Sequence, residues 1–104
     1  MIGDKKFKVK FKESAELDLD GLEQFLLEEC CAPLTAERRF EDLDQRLDWL
    51  EKYADLPAIH FNLSYQYGII VRNIPFGKKM TILYTIEDDI VYILRIIPQS
   101  MIIY

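Results

Sequence analysis

The chain has 104 residues, of which 50% are apolar and 12% aromatic, and it carries a net charge of −5. That is enough to bury one core, too little for two domains, and too apolar for a disordered chain. The acidic balance counts against a general nucleic-acid binder, and no apolar run approaches the length that spans a bilayer.

The first residues, "MIGDKKFKVKFK", are charged and read as a strand, not a leader, so a cytoplasmic protein is expected. Within them Phe7, Val9 and Phe11 alternate with Lys8, Lys10 and Lys12, which predicts one apolar and one basic face. Ser14 is a candidate cap for a helix in which Ala15, Leu19, Leu22, Leu26 and Cys30 recur at three- and four-residue intervals. Cys30 and Cys31 are neighbours, where a disulfide would be strained, and no Cys/His spacing suits zinc. Their simplest reading is two reduced thiols, and no metal or other cofactor is expected.

Pro33 ends that helix, and Thr35 is a candidate cap for a second. Ala36, Phe40, Leu43, Leu47, Leu50 and Ala54 give the second helix the most regular apolar stripe in the chain. The acids cluster here: residues 13–56 hold most of them, with only Arg38, Arg39, Arg46 and Lys52 as bases. Two helices joined by a short link predict a helical hairpin.

"LPAIHFNLS" reads as irregular and contains the lone histidine, His60, whose default role is incidental. "YGIIVRNI" then reads as a strand, "PFGKK" as a turn, and "KKMTILYTI" and "IVYILRII" as a β-hairpin about Glu87-Asp88-Asp89. The last strand is apolar on both faces, which suits a central position. The result is an α+β fold of order β-α-α-β-β-β, a helical hairpin packed on a mainly antiparallel sheet, in one domain spanning residues 1–104.

This order, with "FKVKF", the Ala15, Asp18, Leu19 and Leu22 pattern, "RLDWLEKYADLPA", Arg72, "ILYTIEDD" and "IVYILRI", resembles the RelE/ParE superfamily of bacterial type II toxin–antitoxin toxins. The resemblance spans roughly residues 7–98. It implies a toxin of plasmid-stabilisation type, neutralised by a cognate antitoxin that folds across it as a helical, partly disordered segment. Ribonuclease members cleave mRNA on the ribosome with basic residues on the middle strands and a His or Arg, often with a Tyr, after the last strand. Here Thr81 falls where an arginine is usual, and Pro98, Gln99 and Ser100 fall where the His or Arg is usual. Gln and Pro supply neither protons nor cationic charge near neutral pH.

The chain therefore looks closer to the ParE branch, inferred to act by binding DNA gyrase without chemistry. Two alternatives stay open: a ribosome-dependent mRNA endoribonuclease using Arg72, Arg95, Lys78 and Tyr84, and a degenerate, non-toxic binding module. For Arg72 and Arg95 the competing role is an ion pair with a helix carboxylate, and for the tyrosines it is packing. Lys8 and Lys10 and the apolar tail Met101, Ile102, Ile103 and Tyr104 are the candidate surfaces for antitoxin or target. The tail is expected to pack on the domain or to meet a partner, a second copy of the free toxin included.

Overall fold

The computed structural model of the chain describes residues 6–29, 33–77 and 79–102. Strand β1 (Lys8–Phe11) leads into helix α1 (Glu13–Glu29), then α2 (Pro33–Tyr53) and a short α3 (Phe61–Tyr67). Strands β2 (Arg72–Phe76), β3 (Met80–Glu87) and β4 (Ile90–Pro98) follow, and one 3₁₀ turn (Gln99–Met101) ends the described chain.

The sheet has the order β1-β4-β3-β2. β1 lies parallel to β4, while β2, β3 and β4 pair antiparallel, so the apolar β4 is central as expected. The β3–β4 connection is Asp88-Asp89, with Asp88 at φ 57, a left-handed conformation that Asp tolerates better than bulkier residues.

One face of the sheet is buried by α1 and α2. Leu22, Leu43, Leu50 and Ala54 meet Ile74, Ile82, Tyr84, Val91, Ile93 and Ile96, and Val9 and Phe11 pack against them. The other face carries a smaller core of Leu63, Val71, Leu83, Leu94, Ile97 and Ile102. In β4 both Ile93 and Ile96 face the helices, three residues apart where strand alternation requires an even number. The register explains it: Tyr84 opposes Ile93 but Leu83 opposes Arg95, so Leu94 is an extra, bulged residue.

Several local expectations are corrected. The stretch read as irregular contains α3, and His60 caps it: His60 Nδ1 accepts from the Leu63 N–H at 3.1 Å. The proton of a neutral imidazole then sits on Nε2. The strand read from "YGIIVRNI" begins only at Arg72, because Tyr67 closes α3 and Gly68 caps it at φ 71. Helix α1 begins at Glu13, so Ser14 is no cap; its hydroxyl donates to Leu94 O at 2.6 Å instead. Helix α2 begins at Pro33, where a missing N–H costs nothing, and Thr35 lies inside its first turn. Cys30, Cys31, Lys78, Ile103 and Tyr104 lie outside the described residues.

Candidate functional site

β1 ends opposite Ile93, so β4 continues beyond it with no strand at its side. Helix α1 takes that place. Ser14 and Asp18, one turn apart on α1, present side chains to the open edge: Ser14 Oγ to Leu94 O, and Asp18 Oδ2 accepting the Ile96 N–H at 2.9 Å. The bulge brings Arg95 to the same carboxylate. Its Nε donates to Asp18 Oδ2 at 2.7 Å and one terminal nitrogen to Oδ1 at 3.0 Å, a bidentate pair. The Asp18 hydrogen bond raises the Arg95 pKa above its ordinary value, partly opposed by desolvation, and Tyr67 adds a small contribution upward.

Above this ion pair lies an apolar groove of about 300 Å³ between α1 and the end of β4. Leu17, Gly21 and Leu22 form one wall; Met80, Pro98 and Met101 form the other. Leu17 is 63% and Met101 58% exposed, large apolar side chains left in water beside a concave surface. The sequence held a signal for this site that periodicity reading passed over: Leu17 falls outside the stripe that buries Ala15 and Leu22.

The remaining candidates are used elsewhere. Arg72 and Tyr84 are register partners on β2 and β3, and both hold the end of α2. Tyr84 donates to Ala54 O at 2.7 Å, and Arg72 donates to the Asp55 and Pro57 carbonyls at 3.3 and 3.4 Å. The expected carboxylate partner thus holds for Arg95, whereas Arg72 serves backbone oxygens. Tyr84 is fully buried, and burial pushes its phenol well above its ordinary pKa, against the opposing effect of Arg72. Thr81 is also fully buried; its hydroxyl donates to Ile74 O at 3.0 Å and accepts from Asn73 Nδ2.

Arg95 therefore fastens α1, and Arg72 with Tyr84 fastens α2, so the structure does not gather them around one cleft. Gln99 and Ser100 are exposed in the 3₁₀ turn. Among the described residues no buried side-chain polar atom lacks a hydrogen-bond partner, and no cluster of His, Cys, Asp and Glu could hold a metal ion.

The candidate binding residues separate. Val9 and Phe11 point to the helices, so Lys8 and Lys10 stand exposed on the other face. Lys12 lies nearby, its ammonium 4.4 Å from the centre of the Tyr92 ring. In the tail Met101 lines the groove, while Ile102 is buried in the smaller core. No helix among the described residues is long and apolar enough to cross a membrane.

A small α+β domain with the strand order β1-β4-β3-β2 and two long helices on one face is the frame that holds this groove. The family profile of the ParE toxin of type II toxin–antitoxin systems, parDE, matches residues 9–103, and the chain belongs to that family. Among solved structures, the chain is similar to a protein described as the chromosomal ParDE toxin–antitoxin system from P. aeruginosa. The TM-score is 0.67 at 20% identity, covering 89% of this chain and 96% of that one. No curated protein sequence matches the chain.

Proposed function

We propose that this ParE-family toxin acts by binding a protein target, DNA gyrase, and is neutralised by a cognate antitoxin seated in the α1–β4 groove. The observation that carries the reading is the groove itself. It is apolar, about 300 Å³, and walled by Leu17, Leu22, Met80 and Met101, dimensions that suit the apolar stripe of an amphipathic helix. Lys8 and Lys10, exposed on the opposite sheet face, offer a second, basic contact for an acidic segment of antitoxin or target. The placement of Arg72, Tyr84 and Arg95 as fasteners of α1 and α2 favours binding over RNA cleavage. Each makes hydrogen bonds that fasten the fold, and the tail positions Gln99 and Ser100 supply no cation.

The test is DNA supercoiling by gyrase with purified toxin, alone and with the product of the adjacent reading frame. Inhibition by the toxin and its reversal by that product are expected. A Leu17→Glu/Met101→Glu variant should still inhibit but resist reversal, because both changes place charge in the groove. Full supercoiling at micromolar toxin would exclude gyrase as the target, and reversal undiminished in the variant would place the antitoxin elsewhere.

A further inference from the structure

The stretch from 56 to 71 contains no Asp, Glu, Lys or Arg, in a chain that is 30% charged. It includes α3, whose buried side is Leu63 alone. Its outer side holds Phe61 and Tyr65, one turn apart and 82% and 91% exposed. The segments on either side of α3 run antiparallel: Ile59 bridges Arg72, and the His60 N–H donates to Val71 O at 2.9 Å. Ile69, Ile70 and Leu56, on the segments that flank α3, are also exposed. The platform depends on a few local fastenings. His60 caps α3, Gly68 ends it, and Ser64 Oγ accepts from the Val71 N–H at 2.8 Å to close the loop.

We propose that this surface is the contact through which two copies of the free toxin associate as a twofold dimer. Two arguments single out a second copy. In a twofold contact a patch meets itself, so a surface of one charge sign would be pressed against like charge. The acidic outer faces of α1 and α2 and the lysines of β1 fail that condition, whereas the uncharged α3 surface meets it even on a chain of net charge −5. Area supplies the other argument. Leu56, Phe61, Tyr65, Ile69 and Ile70 leave on the order of 600 Å² of side chain in water. That total is at the upper end of what a typical monomer exposes in its largest patch, about 300–600 Å², and is about three-quarters of the roughly 800 Å² each partner contributes to a stable interface. None of the five lines the α1–β4 groove, so the dimer contact does not depend on the antitoxin reading.

Sedimentation velocity of the purified full chain over a wide concentration range tests this. The wild type should pass from monomer to dimer, and added salt should not dissolve the dimer, since no ion pair holds it. Phe61→Ser/Tyr65→Ser should raise the dissociation constant at least tenfold while leaving far-ultraviolet dichroism unchanged. Tyr65→Arg, which sets a cation against its own copy, should do the same and recover in part at high salt, providing a second variant should the double one misfold. A wild type that stays monomeric at hundreds of micromolar overturns the proposal. So does a dimer indifferent to these changes, or one lost instead with Met101→Glu.

Discussion

On one side of the sheet Leu22, Leu43 and Leu50 descend from helices of 17 and 21 residues, while on the other Leu63 descends from a helix of 7. Long helices can form stable stripes, whereas a helix of two turns is marginal in water and depends on its fastenings. Those of α3 are local and polar: the His60 cap, the Ser64–Val71 pair and the turn at Gly68. The α1–α2 side should therefore unfold only with the whole domain, and the α3 side should open first. A side that opens more easily also carries the uncharged surface.

The largest test compares one leucine from each side. Leu50 is fully buried in the main core and Leu63 is 3% exposed in the smaller one, so exposure alone predicts equal effects. Truncating a buried leucine to alanine costs about 2–5 kcal/mol, depending on how far the site collapses. Leu50→Ala should fall in the upper part of that range, since two helices and four strands fix its surroundings. Leu63→Ala should fall in the lower part, because α3 can settle toward the sheet. Urea unfolding gives both values, and hydrogen exchange should show Leu63→Ala speeding exchange in residues 61–72 alone. Equal costs with equally global exchange would remove the distinction between the two sides.

A smaller effect isolates one fastening on the long-helix side. Tyr84→Phe leaves the buried Ala54 carbonyl without its donor, which costs about 1–3 kcal/mol at neutral pH. Burial holds the Tyr84 pKa in the folded protein above the ordinary value of 10.0. Above pH 10 the unfolded chain therefore loses the proton while the folded chain keeps it, and stability falls as pH rises. The slope from this group approaches about 1.4 kcal/mol per pH unit. The phenylalanine variant lacks that slope, so the stability difference between the two proteins should shrink as pH passes 10. A difference that stays constant to higher pH would mean that the phenol ionises alike in both states.

The contrast between the two sides also governs what could be read from the residues. Leu43, Leu47, Leu50 and Ala54 announce α2 because burial on a long helix imposes a repeat. α3 has one inward residue, Leu63, and one residue makes no period, so the stretch looked like loop. Its helicity comes from His60 as cap and Gly68 as terminator, a histidine cap being a weak sequence signal. Thr81 is uncharged by its identity, but its burial depends on the place of β3 between β2 and β4, which only the sheet order defines. Arg95 was legible as a partner for a helix carboxylate. That the carboxylate would be Asp18 follows from the Leu94 bulge and the early end of β1, neither of which leaves a mark in composition. The groove was half legible, through Met101 in the tail; its other wall needs Leu17, which lies outside the apolar stripe of α1.

The smallest effects have opposite signs on the two sides. Gly68 ends α3 at φ 71, and a Cβ added there would meet nothing within 4 Å. The cost of Gly68→Ala is then purely conformational, about 1–2 kcal/mol for an L-residue in the left-handed region. Gly21 lies inside α1, where an added Cβ likewise meets nothing within 4 Å and the backbone is helical. Gly21→Ala should stabilise by about 0.5–1 kcal/mol, because alanine loses less freedom on entering a helix. Thermal unfolding of the two variants reads both signs at once, with the double variant close to their sum because the sites do not touch. Gly21 also lines the groove, so its alanine variant adds a methyl to the wall that holds Leu17 and Leu22. A more stable toxin that is reversed less readily by its antitoxin is the expected result. It would tie the open glycine of α1 to binding, and leave the strained glycine of α3 to the fold.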